Sequence, residues 1–181
     1  MKRIIIIGSS GAGKTTLARK LSEKLSIPHT EMDSIIHQAN WSRLDDKEFS
    51  KRVHKIADGP EWILCGNYFS KPGMGLELWQ KADTVVWCDY PFHVVASRLL
   101  RRTLKRTVTR EILWNGNRER FYTNFFTKDS LFIWMISQWN KQQTRYSALF
   151  NNKTVLSDTA LIHLRNAKQT RAFLRSMELT S

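Results

Sequence analysis

Four consecutive isoleucines, Ile4 to Ile7, run directly into Gly8-Ser9-Ser10-Gly11-Ala12-Gly13-Lys14-Thr15-Thr16, and this junction constrains the chain more than any other stretch. A short unbroken β-branched run suits a central parallel strand covered on both faces. The glycines let the backbone take positive φ and pass close to an oxyanion, so that successive N–H groups point into one concavity. The helix that follows adds its unpaired N-terminal N–H groups and the positive end of its dipole. Lys14 can then reach β- and γ-phosphates, and Thr15 offers a hydroxyl to Mg²⁺. The pattern G-x-x-x-x-G-K-[ST] between a strand and a helix reads as a nucleoside triphosphate cradle rather than a flexible turn.

The rest of the composition is compatible with one α/β domain spanning 1–181, with a lid segment around 103–127. No apolar run approaches the length of a membrane span, so a cytosolic protein without membrane partners is expected. Cys65 and Cys88 each lie near the end of an apolar run, outside any Cys-x-x-Cys pair, and read as buried free thiols. The 29 Lys and Arg against 16 Asp and Glu give a formal charge of +13. That excess implies a polyanionic partner: nucleotide phosphates, nucleic acid, or both.

Leu17, Leu21 and Leu25 recur every four residues after the loop, as a helix packed on a sheet requires, and Pro28 stops it. Strands are expected at 28–32 (ending at Asp33), 61–66, 84–89 and 160–164. Helical pieces are expected between 34 and 58, with Asp45, Asp46 and Glu48 at a helix start, and again from 129 to about 150 and from 167 to 177. A strong helix begins at Phe92, with Phe92, Ala96, Leu100, Leu104 and Val108 along one stripe, Val95 and Leu99 beside it, and Arg98, Arg101, Arg102, Lys105 and Arg106 opposite. Strands alternating with helices imply a parallel sheet with right-handed crossovers.

Ligands in such a sheet bind beyond the carboxyl ends of the strands. Phosphoryl transfer needs a carboxylate for the metal or its waters, cations on the transferring group and a placed acceptor. Asp33 stands where it could orient an acceptor hydroxyl or a Mg²⁺-bound water, or cap the next helix. Asp89 closes an apolar strand and reads either as a metal-supporting acid or as a cap. Arg98 and Arg102, four apart, could grip one phosphate chain, although a basic stripe is often just a solvated face. Arg118 and Arg120, beyond the turn Asn115-Gly116-Asn117, suit a closing lid. Trp41, Tyr68, Trp79 and Phe92 are candidates for an aromatic acceptor pocket or for ordinary core, and the five histidines show no ligand spacing.

The loop Gly8 to Thr15, Asp33 followed by Trp41, Trp62 to Tyr68, Ala82 to Pro91, the arginine helix and Leu161 to Asn166 together resemble the adenylate-kinase-related P-loop proteins of the DNA topology modulation (FlaR-type) family. The resemblance implies a P-loop NTPase fold, α/β and nucleotide-kinase-like: a five-stranded parallel sheet in the order 2-3-1-4-5, ATP with Mg²⁺, and a basic lid. It supports Arg98 and Arg102 as phosphate ligands. The third strand of that family is expected to end Asp-Gly-Asn-Tyr, whereas Cys65 stands in place of the acid here, so either Asp33 or Asp89 supplies the carboxylate or catalysis is weak. A thiol is a poor partner for Mg²⁺. The expected activity is transfer of the ATP γ-phosphoryl group to a small-molecule or nucleotide acceptor. A nucleic-acid-binding regulator using ATP as a switch, and a non-catalytic nucleotide-binding protein, are the competing readings.

Overall fold

The computed structural model describes residues 1–69, 74, 76–118, 131–151 and 158–177. Five strands, β1 (Arg3–Gly8), β2 (His29–Glu31), β3 (Trp62–Cys65), β4 (Thr84–Cys88) and β5 (Ala160–Leu164), pair in parallel in the order β2-β3-β1-β4-β5. This is the expected P-loop kinase-like sheet.

The four isoleucines explain why β1 is central. All are fully buried, Ile5 and Ile7 on one face of the sheet and Ile4 and Ile6 on the other. Only a strand covered by helices on both sides can place successive apolar residues this way. Over the first face lie α2 (Met32–Ile36), α3 (Asp46–Ala57) and α4 (Leu76–Lys81), with Trp62, Leu64, Val85 and Trp87 from the strands. Over the second lie α1 (Lys14–Leu25), α5 (Phe92–Thr109) and α7 (Ala167–Ser176). The helix α6 (Leu131–Asn151) serves both layers, through Tyr146 to the first and Met135 to the second. Asp45 caps α3 as its composition suggests, accepting from the backbone N–H groups of Lys47 and Glu48 at 3.0 Å each.

Two expectations are corrected. The strand β2 stops at Glu31, and Asp33 sits in the first turn of α2 rather than at a strand end. Met32 and Ile36, one turn apart and both fully buried, draw the chain into a helical turn as soon as the strand ends. On α5 the buried residues are Val95, Leu99 and Thr103, while Phe92, Leu100, Leu104 and Val108 are exposed, Val108 to 81%. The cause is Gly11: a Cβ there would lie 2.6 Å from the Val95 carbonyl oxygen and 3.2 Å from Leu99 Cβ, so the helix rests directly on the loop by its Val95–Leu99 side. The lid expected at 103–127 divides likewise. Residues up to Thr109 belong to α5, 112–118 form a compact turn described below, and 119–127 lie outside the described residues.

The rotation of α5 is directly testable. Leu99→Ala should lower stability by about 2–5 kcal/mol, whereas Leu104→Ala should stay within about 0.5 kcal/mol of wild type. Urea denaturation of the two variants measures both.

Candidate functional site

Beyond the carboxyl ends of the strands opens a cavity of about 1840 Å³ whose floor includes residues 10–17, Cys65 and Cys88. The loop is held at its base by Asn67. The Asn67 side chain donates to the Gly8 carbonyl at 2.8 Å and accepts from the Gly8 N–H at 3.2 Å and from the Tyr146 hydroxyl at 3.1 Å. The Ser9 hydroxyl donates to Gln142 at 3.0 Å, so α6 is bolted to the loop at two points. Lys14 Nζ donates to the carbonyls of Gly8 at 2.7 Å and Ser9 at 3.1 Å. Burial lowers the Lys14 pKa, and the nearby Asp33 carboxylate pulls it part of the way back.

One wall is cationic. Arg98, Arg102 and Arg106, successive turns of α5, line the cavity together with Arg110, while Arg101 and Lys105 of the same stripe face outward. The Arg98 guanidinium lies 4.3 Å over the Tyr90 ring. One of its nitrogens is 4.0 Å from where a Cβ on Gly13 would sit, which brings it beside the loop.

The acids fall differently from expectation. Asp33 lines the cavity and accepts a 2.5 Å hydrogen bond from the Tyr68 hydroxyl. Burial, and then the Asp33 charge, push the Tyr68 phenol pKa upward, so the phenol stays protonated and donates. Asp89 is not among the residues lining the cavity. Its carboxylate accepts from Gln143 at 2.7 Å and pairs with His163 Nε2 at 2.7 Å, and the His163 ring in turn stacks on Trp87 at 4.2 Å. Nor does Asp89 cap α5, which begins at Pro91 with no side-chain cap. The carboxylate that reaches the loop is Glu31, which accepts from the Thr15 hydroxyl at 3.2 Å. Glu31 on β2 is the register partner of Cys65 on β3, and Thr15 also contacts the Cys65 thiol. Cys65 at the end of β3 thus has a carboxylate beside it on the neighbouring strand, a relation that sequence spacing does not reveal.

Part of the cavity lining is aromatic. Of the four candidate aromatics, Tyr68 and Trp41 line the cavity, whereas Trp79 is buried against Phe69 and Phe92 packs on Trp139. His37 joins them: Trp114 stacks on its ring at 6.2 Å, Trp41 meets it edge-on at 5.4 Å, and burial lowers its pKa and keeps it neutral. Arg43 and Arg118 line the same side, and Arg120 lies outside the described residues. Trp41 has φ +58, a left-handed conformation costing a bulky residue about 1–3 kcal/mol. Its backbone N–H donates to Asn117 Oδ1 at 2.8 Å and its indole N–H to the Arg118 carbonyl at 3.1 Å. Neither these partners, 76 and 77 residues away, nor the role of Asn67 carries a local sequence signal.

Sheet order, glycine loop and cationic wall define a P-loop kinase-like fold. The family model described as an AAA domain matches residues 4–122, more than half of the chain, and the chain belongs to that family. Shikimate kinase of Sulfurihydrogenibium sp. is 25% identical over 114 residues, 55% of this chain and 67% of that protein. The probable gluconokinase of Schizosaccharomyces pombe is 28% identical over 85 residues, 47% of this chain and 41% of that protein. Among solved structures, shikimate kinase of Bacteroides thetaiotaomicron superposes with a TM-score of 0.61 at 16% identity, covering 99% of this chain and 97% of that one. These relatives are kinases, and they do not support a nucleic-acid partner. Among the described residues no helix is long and apolar enough to cross a membrane.

The two thiols in the cavity floor give a pH test. Burial pushes both Cys65 and Cys88 up to about 12, from an ordinary value of 9.0. The unfolded thiols ionise first, so their influence on stability is unchanged below about pH 9 and stability is lost as pH rises from there towards about 12. Iodoacetamide labelling of the native chain should therefore still be accelerating about tenfold per pH unit above pH 10, when labelling of the urea-unfolded chain has levelled off.

Proposed function

We propose that the protein is an ATP-dependent kinase that transfers the γ-phosphoryl group to a hydroxyl of a small acceptor. The observation that carries this reading is that the loop bearing Lys14 and Thr15 shares one cavity with Asp33, whose carboxylate is fixed by Tyr68 at 2.5 Å. A donor site and a candidate base for the acceptor hydroxyl thus share a single enclosure.

The backbone N–H groups from Ser10 to Thr16 and the first turn of α1 cradle the β- and γ-phosphates of ATP. Lys14 exchanges its carbonyl partners for phosphate oxygens, and Arg98 and Arg102 bear on the transferring group from the side. Thr15 and Glu31 are the residues that would hold Mg²⁺, and their hydroxyl and carboxylate oxygens suit a hard cation. When bound, that ion supplies neutralisation of charge on the phosphates. Asp33 accepts the proton of the acceptor hydroxyl as its oxygen bonds to the γ-phosphorus, the bond to the β-phosphate oxygen breaks, and ADP leaves. Tyr68 holds Asp33 in place and Arg118 closes on the phosphates. Asp89, expected to support the metal, has its carboxylate engaged by Gln143 and His163 and takes no part.

Arg43 on the acceptor wall favours an acceptor that carries an anionic group beside its hydroxyls, as shikimate and gluconate, the substrates in the relatives' names, do. Within the AAA-domain family we assign the chain to the DNA topology modulation branch, on its Trp62–Tyr68 and Ala82–Pro91 segments. Two free thiols and a need for ATP fit a cytoplasmic setting.

ADP release measured against a panel of hydroxy acids, sugars and nucleosides tests the reading. At least one compound should raise turnover well above the water reaction, and a panel in which none does would overturn it. With that acceptor, Asp33→Asn should lower kcat by about 10²–10⁴ while ATP affinity holds, and Lys14→Ala should abolish turnover. Glu31→Gln should raise the Mg²⁺ concentration needed for half-maximal rate.

A further inference from the structure

Residues 37–43 and 112–118 are built alike. Each segment closes on an antiparallel bridge, His37 with Arg43 and Ile112 with Arg118. Each turns through two left-handed residues, Asn40 and Trp41 (φ +57 and +58) in the first, Asn115 and Gly116 (φ +55 and +78) in the second. Asn115-Gly116 is the pair such a turn prefers; a tryptophan in the second left-handed position of its twin is not.

The two turns lock onto each other. Asn117 accepts from the Trp41 N–H at 2.8 Å and donates to the Gln38 carbonyl at 2.8 Å. Asn115 donates to the His37 carbonyl at 2.5 Å and to the Ser34 carbonyl at 3.3 Å, and the Trp41 indole reaches the Arg118 carbonyl at 3.1 Å. Stacking of Trp114 on His37 completes the contact. The first turn belongs to the connection between β2 and β3 and carries the acceptor wall; the second follows α5 and is bracketed by the cavity-lining Arg110 and Arg118. Because Trp41 keeps its strained backbone while its N–H is held by Asn117, release of the second turn removes the reason for the first to stay as it is. The interlocked turns thus join two segments that both line the cavity, a contiguous path along which coupling between sites can run.

We propose that segments 37–43 and 112–118 are two halves of one clasp, with Asn117 as its positioning residue, that opens and closes as a unit and lets nucleotide at the α5 arginines order the acceptor wall. Its nucleotide arm rests on the kinase reading above; the joint opening does not. By reciprocity, an acceptor that orders the wall would tighten nucleotide binding.

Amide hydrogen exchange of the full chain, read on peptides covering 34–44 and 110–118, tests both parts. Asn117→Ala should raise exchange in the two segments together, by about tenfold or more. Asn117→Asp keeps an acceptor for the Trp41 N–H but loses the donations, and should fall between. In wild type, a non-hydrolysable ATP analogue with Mg²⁺ should slow exchange in 37–43, and Asn117→Ala should lose that slowing even at nucleotide saturation. Unchanged far-UV circular dichroism keeps the comparison on folded protein. Exchange that rises in only one segment, or in neither, overturns the clasp. Slowing that persists in Asn117→Ala, or is missing from a wild type that binds the analogue, overturns the coupling. A wild type that binds no nucleotide overturns the kinase reading and the nucleotide arm with it, while joint opening is judged on the exchange without nucleotide.

Discussion

Gly8 has no room for a side chain. A Cβ on it would come within 2.4 Å of the Cys88 carbonyl oxygen, so the end of β1 and the end of β4 close on each other at the point where the chain must leave the sheet and begin its loop. This contact makes the strand-to-loop transition abrupt, and the abruptness aims the following N–H groups into the cavity rather than along the sheet. Asn67 then secures the same residue, accepting from its N–H and donating to its carbonyl. The loop is fixed between β3 and β4 before any helix contributes, and α5 settles on it where Gly11 leaves space. Position and rotation of α5 decide in turn which of its arginines face the phosphates.

The distribution of charge follows from this geometry. A formal charge of +13 reads, in the sequence, as a general affinity for polyanions. In the fold a large share of it converges on one enclosure, which Lys14, Lys20, Arg43, Arg98, Arg102, Arg106, Arg110, Arg118 and Arg171 line together with two carboxylates among the described residues, Glu31 and Asp33. A cavity of that composition attracts anions. Each of the two carboxylates is held by a hydroxyl, Glu31 by Thr15 and Asp33 by Tyr68.

What could be read from the sequence divides along the reach of the interactions. The loop, its flanking strand and helix, and the cap at Asp45 are local and are visible in consecutive residues. The buried side of α5 is only partly legible, because Val95 and Leu99 lie beside the Phe92–Val108 stripe and the third buried residue, Thr103, is polar. Which acid replaces the one missing at Cys65 depends on the register between β2 and β3, and that pairing spans more than thirty residues of chain. Asp33 draws attention by its place at the end of an expected strand, although it lies in a helical turn. Asn67, His37 and Asn117 were passed over because an amide or imidazole carries no periodic signature; their partners lie far along the chain and only folding brings them near.

The bonds of Lys14 to the Gly8 and Ser9 carbonyls give the loop a property beyond its shape. In the kinase proposed above, phosphate does not meet an idle cation there; it has to win the ammonium from two oxygens of the very turn that would receive it. Binding is therefore an exchange of partners, and its net gain is smaller than a count of the final contacts suggests. The same trade runs in reverse when product departs, since the carbonyls stand ready to take the lysine back. A loop that supplies its own competitor is suited to quick release, which is what a turnover enzyme asks of the site that holds its most highly charged ligand.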